Sequence, residues 1–146
     1  MVKTNMKSIP IPLKLINLQD DGFHLLVEIV VFKETHFAVL DTGASRSVFD
    51  KAIIEKHLSE TLHVSDEINA ATLFTTTTTI QATIPELKIG KLKLKNYETV
   101  AFDLQSVSET YQQFGHPPIV GIIGGDILMQ YKAVINYDKL LMRLYK

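Results

Sequence analysis

The residues best suited to chemistry form the triplet Asp41-Thr42-Gly43, which follows the apolar run Phe37-Ala38-Val39-Leu40 and precedes Ala44-Ser45. A strand that ends in a carboxylate on a tight turn presents that carboxylate to a substrate instead of to a core. Asp-Thr-Gly is also favourable turn chemistry in any protein, so a purely structural turn is the alternative interpretation. The setting predicts that Asp41 acts as a catalytic acid or base.

A second motif lies about eighty residues further along, where the apolar segment 119–123 runs into Gly124-Gly125-Asp126. A glycine-rich turn between a strand and a helix can bind phosphate. The Gly-x-x-Gly-Gly spacing of this segment does not match the dinucleotide-binding pattern, however, which disfavours a nucleotide site. We expect these glycines to open a short helix over 127–132, with Asp126 as its N-cap residue.

Taken together, the two motifs resemble those of the retropepsin-like aspartic proteases, the single-domain enzymes of retroviral type and their cellular and bacterial relatives. The matching segments are Val39 to Ser45, Ile122-Ile123-Gly124, and Tyr131 to Tyr137, which resembles the strand that follows the short helix. The resemblance implies a mostly-β fold: residues 1–146 would form one domain, half of an acid-protease β-barrel with one short C-terminal helix, completed by homodimerisation.

The resemblance also implies roles for individual residues. Asp41 would be the catalytic carboxylate, and the Thr42 hydroxyls of two subunits would interlock beneath the catalytic pair. Gly43 allows close approach of the backbone, Ala44 keeps the turn small, and Ser45 can bond nearby backbone. The second motif, Ile122, Ile123 and Gly124, would support this turn.

Aspartic-protease chemistry needs two carboxylates that share one proton, because like charges held so close cannot both ionise. One chain supplies only one such group. The other candidates lack the strand-to-Thr-Gly setting; they are Asp20, Asp21, Asp50, Asp66, Asp103, Asp126 and Asp138. The prediction is therefore a homodimer that joins two copies of Asp41 and hydrolyses peptides or proteins, with no cofactor and no metal. A peptide-binding or assembly module that keeps the fold without efficient hydrolysis is the alternative.

A flap that covers the substrate is expected between residues 68 and 80, with Asn69, Ala70, Ala71, Thr72 and Leu73 around its tip. Flaps of this family are usually rich in glycine, whereas this stretch contains none and includes five consecutive threonines, Thr75 to Thr79. That departure motivates the binding-module alternative. Candidate walls of the substrate cleft are Leu40, Ala44, Leu73, Phe74, Ile119 and Ile122.

The remaining elements follow from apolar and β-branched patterns. Residues 23–32 and 35–40 predict a hairpin whose turn lacks the usual Asn-Gly signal, and residues 87–94 predict a second hairpin around Gly90-Lys91. Further expected strands are 71–84 and 97–104. Residues 47–57 predict a short helix or a loop with a helical turn, and the polar stretch 105–118 predicts a surface excursion.

Composition limits the other possibilities. The chain has 146 residues, 46% of them hydrophobic, a formal net charge of −1 and no cysteine, which suits one domain with a packed core. Without a basic stripe, nucleic acid is disfavoured as a partner. The five histidines lack zinc-ligand spacing, and no Gly-x-Ser-x-Gly motif is present. With no signal peptide and no span of membrane length, we expect a soluble protein; the compartment stays open, with the cytoplasm slightly favoured.

Overall fold

The computed structural model describes residues 6–19, 22–58, 63–65 and 79–146. Ten strands of this part of the chain form one sheet. The strands are β1 Ser8–Asn17, β2 Phe23–Val31, β3 Glu34–Leu40, β4 Val48–Asp50, β5 His63–Ser65, β6 Thr79–Ile89, β7 Leu92–Phe102, β8 Ile119–Ile123, β9 Val134–Asn136 and β10 Leu141–Tyr145. The helices are α1 Lys51–Leu58, α2 Gln105–Gln113 and α3 Gly125–Gln130.

The sheet is arranged in the order β5-β6-β7-β4-β8-β3-β2-β1-β10-β9, and an additional pairing joins β6 to β2. That pairing closes the six strands from β6 to β2 into a barrel, which leaves β5 next to β6 and β1, β10 and β9 as an extension beyond β2. The mostly-β prediction is therefore confirmed. None of the three helices just described is long and apolar enough to cross a membrane.

Both predicted hairpins are present. In the first, β2 and β3 pair from Val31 opposite Glu34 to Leu25 opposite Leu40. Its two-residue turn, Phe32-Lys33, has positive φ values of 51° and 64°, as in a type I′ turn, although neither residue is the glycine or asparagine that such turns favour. In the second hairpin, β6 and β7 pair up to Ile89 opposite Leu92.

A parallel pairing between β3 and β8 brings the two sequence motifs together. Val39 lies opposite Ile122, and Leu40 lies opposite Ile123. The pairing continues one residue past β3, because the Asp41 amide donates to the Ile123 carbonyl at 2.9 Å. The two motifs thus end side by side at the same edge of the barrel.

Two hydrophobic clusters hold these strands. The larger fills the barrel and includes Leu40, Phe49 and Ile123. The smaller covers the other face of β2 and β3 and is made of Ile16, Leu18, Leu26, Val39, Leu104, Tyr111 and Ile119. Because alternate residues of a strand point to opposite faces, Val39 and Leu40 belong to different clusters and together fix the end of β3.

The structure corrects some predicted elements. Residues 105–118 were expected to be a surface excursion, but Gln105–Gln113 form the helix α2, which packs Tyr111 into the smaller cluster with only 3% of its surface exposed. The strand expected over 97–104 begins instead at Leu92 and ends at Phe102. The first part of the expected strand 71–84 and the predicted flap residues lie outside the described residues.

Candidate active site

Asp41 lies at the carboxyl end of β3 on an exposed turn. Its Oδ1 atom accepts a hydrogen bond from the Gly43 amide at 2.9 Å, and its carbonyl accepts one from the Ala44 amide at 3.2 Å. The side chains of Asp41, Thr42 and Ser45 are exposed, and Ala44 is half-buried. The carboxylate is therefore held in one orientation by local backbone and remains open to solvent.

The second motif forms the platform beneath this turn. The Gly125 amide donates to the Ala44 carbonyl at 2.7 Å, and the Gly124 amide donates to Ser47 Oγ at 2.8 Å. A Cβ atom on Gly124 would lie only 2.7 Å from the Ala44 carbonyl oxygen and 2.9 Å from that of Arg46. The site requires glycine here because the backbone of the Asp41 turn rests directly on the Gly124 Cα atom.

Asp126, itself exposed, ties the platform to the turn through a partly buried hydrogen-bond network. Its Oδ1 atom accepts hydrogen bonds from the Ser47 amide at 2.9 Å and from Ser47 Oγ at 2.7 Å, and also from the Ile127 amide at 2.9 Å. Its Oδ2 atom accepts one from the Tyr97 hydroxyl at 3.1 Å. Burial of the Tyr97 phenol, together with the Asp126 charge, raises the pKa of Tyr97 above its ordinary value.

The predicted N-cap role of Asp126 is wrong. Gly124 is the N-cap residue of α3, and Asp126 lies in the first turn of that helix. Its carboxylate points to Ser47 because this serine, 2% exposed, offers both an amide and a hydroxyl. The sequence analysis missed Ser47 and Tyr97, since nothing in their local spacing connects either of them to residue 126.

A tyrosine–histidine pair, Tyr111 and His24, lies at the end of β2 that is next to the Asp41 turn. The Tyr111 hydroxyl is 2.6 Å from His24 Nδ1, and the two rings meet edge to face with centroids 5.7 Å apart. The pairing of Leu25 with Leu40 places His24 beside the start of the Asp41 turn. Burial of the phenol and, as a smaller cause, the Asp41 charge together raise the pKa of Tyr111 to about 12.

The other predicted site residues divide by position. Leu40 and Ile119 are buried in the two clusters, and Ile123 is fully buried beneath the turn. Ile122 is half-buried next to it. The candidate flap residues Asn69, Ala70, Ala71, Thr72 and Leu73, together with Phe74, lie outside the described residues, so their placement stays a prediction.

Among the remaining aspartates, two have structural partners. Asp50 accepts a hydrogen bond from the Leu104 amide, and Asp103 accepts one from the Gln105 amide at the start of α2. Asp20, Asp21 and Asp66 lie outside the described residues. Within the described part of the chain, no group of three or more His, Cys, Asp or Glu side chains could hold a metal ion.

An Asp-Thr-Gly turn on a six-stranded barrel, resting on a parallel strand that ends in glycine, defines the retropepsin-like class of fold. A sequence profile of the family described as "Aspartyl protease" matches residues 27–127. The chain therefore belongs to the aspartyl protease family.

A solved structure agrees with this fold. A retropepsin-like aspartic protease from Rickettsia conorii superposes with a TM-score of 0.57 at 20% identity, covering 97% of this chain and 90% of that one. The retroviral protease-like domain of Ddi1 from Leishmania major is also similar, with a TM-score of 0.49, 15% identity and coverages of 79% and 82%. No curated protein sequence matches the chain. The predicted retropepsin-like fold is confirmed.

Proposed function

We propose that the chain, as one protease domain spanning residues 1–146, is an aspartic endopeptidase that works as a homodimer and uses Asp41 from each subunit. One observation carries this proposal: an exposed carboxylate is oriented by the Gly43 amide at the end of β3 and stands on the glycines of the second motif. Aspartates on ordinary surface turns are exposed as well, so the support from the second motif distinguishes this turn, and not exposure alone.

The geometry suggests a division of labour between the two oxygens of each carboxylate. Oδ1 is engaged by the Gly43 amide, which leaves Oδ2 to meet the partner's carboxylate and a water molecule. Two carboxylates so close share one proton. The ionised one takes a proton from the water, and the protonated one donates a hydrogen bond to the scissile carbonyl, which becomes more susceptible to attack.

The partner subunit is required because one subunit offers one such carboxylate. A two-fold axis brings the same residue of both subunits together, so two exposed turns can meet at Asp41. Thr42 is also exposed, and in the proposed dimer it would contact its counterpart below the catalytic pair. The substrate would then lie extended between the two subunits, next to the half-buried Ile122.

The proposal is tested by peptide cleavage with wild type, Asp41→Asn and the control Asp138→Asn, which alters an exposed carboxylate on a turn after β9. An unbiased peptide mixture is used from acidic to neutral pH, with enzyme concentrations that span dimer formation. We expect Asp41→Asn to lose cleavage and to keep its fold and dimer, and Asp138→Asn to match wild type. Wild-type activity should rise more than linearly with concentration.

Two outcomes would contradict the proposal. Cleavage retained by Asp41→Asn would remove the catalytic role of Asp41, and full cleavage by a strictly monomeric species would remove the shared dyad. If wild type is folded and dimeric but cleaves nothing, the glycine-free segment 68–80 supports the second candidate, a peptide-binding or assembly module.

A further inference from the structure

Tyr111 and His24 lie beside the Asp41 turn and take no part in the proposed proton transfers. In the β2–β3 ladder Leu25 lies opposite Leu40, and one more step in the same register brings His24 next to Asp41. Opposite residues of an antiparallel pair have Cα atoms about 5 Å apart and side chains on the same face of the sheet. The Asp41 charge also contributes to the raised pKa of Tyr111. Both observations make the pair a direct neighbour of the proposed catalytic carboxylate.

The two ring nitrogens of His24 have different surroundings. Nδ1 is 2.6 Å from the Tyr111 hydroxyl. Nε2 has no hydrogen-bond partner among the residues that the structure describes. Within that part of the chain, the only buried side-chain nitrogen or oxygen without a partner is Nε2 of His36. The Nε2 atom of His24 is therefore not buried and can be reached from outside the protein.

Tyr111 determines which ring nitrogen of His24 carries the proton. The tyrosine is buried, and its hydroxyl hydrogen needs an acceptor because a buried donor without one costs free energy. In the described part of the chain, that acceptor is His24 Nδ1. The raised pKa of Tyr111 keeps the proton on the phenol at neutral pH. Nδ1 of the neutral imidazole therefore accepts a hydrogen bond, and the imidazole proton resides on Nε2.

The accessible Nε2–H group is a hydrogen-bond donor in a fixed position. The bond to Tyr111 and the edge-to-face packing of the two rings, with centroids 5.7 Å apart, restrict rotation of the imidazole. Asp41 is exposed, whereas His24 is half-buried. A group that reaches His24 must therefore project from the peptide backbone that meets Asp41, as a substrate side chain does. The donor favours a side chain that carries an oxygen acceptor.

The charge of the proposed dyad selects among the side chains that carry oxygen. Two carboxylates that share one proton keep one negative charge, and a substrate carboxylate bound to His24 would lie close to it. A carboxamide offers the same oxygen acceptor without a charge. Glutamine and asparagine therefore suit this donor better than glutamate and aspartate. Leucine and methionine have a similar size but leave the donor unpaired, which a polar site disfavours.

We propose that His24 is a specificity-determining residue, whose Nε2–H group donates a hydrogen bond to the side-chain carboxamide of a substrate glutamine or asparagine, and that Tyr111 is its positioning residue. This inference rests on the proposed function, because it concerns the substrate of the same site. An extended peptide advances ~3.3 Å per residue, so the carboxamide lies within about three residues of the cleaved bond. A two-fold axis places a second His24 on the other side of that bond.

The first test measures the preference without relying on catalysis. A pool of random octapeptides is passed over the immobilised full chain carrying Asp41→Asn, and the retained peptides are sequenced. The measured quantity is the ratio of glutamine and asparagine to methionine and leucine. Adding His24→Phe should lower this ratio, and adding Tyr111→Phe should lower it less. His24→Gln should keep it, because the glutamine amide places an N–H group near the position of Nε2.

His116→Phe is the matched control. It makes the same substitution on a half-buried histidine, but His116 Nε2 already donates to the Asn17 carbonyl at 3.0 Å, so the ratio should not change. The second test compares kcat/KM of the otherwise wild-type enzyme at neutral pH for peptides with glutamine, glutamate or methionine at the selected position. Loss of one neutral hydrogen bond lowers a binding preference about three- to tenfold. We expect His24→Phe to reduce the preference for glutamine over methionine by this factor.

Four results would overturn the inference: an unchanged ratio in His24→Phe, an equal change in His116→Phe, an equal fall for all peptides, or equal cleavage of the glutamine and glutamate peptides by wild type. The third would assign the donor to the substrate backbone. Urea unfolding establishes that each variant is folded, and Tyr111→Phe decides the matter if His24→Phe is not. If wild type cleaves nothing while the retained pool still depends on His24, the proposed catalysis fails and the peptide preference stands.

Discussion

Replacing Gly124 by alanine provides the sharpest test of how the two motifs depend on each other. The new Cβ atom would lie 2.7 Å from the Ala44 carbonyl oxygen and 3.0 Å or less from two atoms of the Arg46 carbonyl, whereas ordinary contacts begin at 3.4 Å. All three atoms are backbone, so no side chain can move aside. Gly124 itself has φ −114° and ψ −167°, an extended conformation open to alanine, so the whole effect is steric.

The required displacement sets the expected magnitude. Restoring ordinary contact with Ala44 requires about 0.7 Å of movement between the platform and the turn. Overpacking of this kind costs about 1–3 kcal/mol of unfolding free energy, which lowers the melting temperature of a domain of this size by about 3–10 °C. Since misplacing a catalytic group by ~1 Å costs about 100-fold in rate, we expect peptide cleavage to fall about 10- to 100-fold.

Gly125→Ala is the matched control. Its Cβ atom would lie 3.3 Å from the Ala44 carbonyl oxygen, close to ordinary contact, and alanine at a helical position gains about 0.5–1 kcal/mol over glycine. Urea unfolding and cleavage assays on both variants decide the matter. If Gly124→Ala unfolds at the wild-type midpoint and cleaves at the wild-type rate, the platform does not determine the position of Asp41.

Two further variants test the groups around the turn. Ser47→Ala leaves the Gly124 amide without its acceptor and removes one of the three donors to Asp126 Oδ1, so unfolding free energy should fall by about 1–3 kcal/mol. The exposed control Ser45→Ala should change it by less than about 0.5 kcal/mol, and equal effects in urea unfolding would contradict the network. Because the pKa of Tyr111 is raised from 10.0 to about 12 in the fold, its stabilising contribution is complete below pH 10 and is lost as the pH rises towards 12. Wild type should therefore lose more stability than Tyr111→Phe between pH 9 and pH 11, as measured by urea unfolding; parallel losses would refute the assignment.

The sequence allows prediction of those parts that depend on neighbours along the chain. Strand periodicity was sufficient for both hairpins. The support of the Asp41 turn by the second motif came only from the family resemblance, and the pairing of Ile123 with the end of β3 was not itself predicted. The β2–β3 turn was harder, because Phe32-Lys33 adopts positive φ without the residues that usually signal it. There the pairing of the long flanking strands outweighs the local preference of the turn.

Residues that depend on distant partners were not predictable. Ser47 meets Asp126 across 79 positions of the chain, and Tyr111 meets His24 across 87. The helix α2 was missed because its sequence is polar, and only its contact with the smaller cluster buries Tyr111. The helix becomes stable when tertiary packing covers one face, which a window of sequence does not contain.

The arrangement separates the group that would perform chemistry from the groups that hold it. In the described part of the chain, the Asp41 side chain accepts one hydrogen bond, from the Gly43 amide of its own turn, and is otherwise exposed, so its replacement by asparagine should leave the fold intact. Gly124, Ser47 and Asp126 differ from Asp41 because they are hydrogen-bonded to one another and join separate parts of the chain. We therefore expect Asp41→Asn to lose cleavage and to keep its stability, whereas Gly124→Ala should lose both. That difference would separate the catalytic role of Asp41 from the supporting role of Gly124.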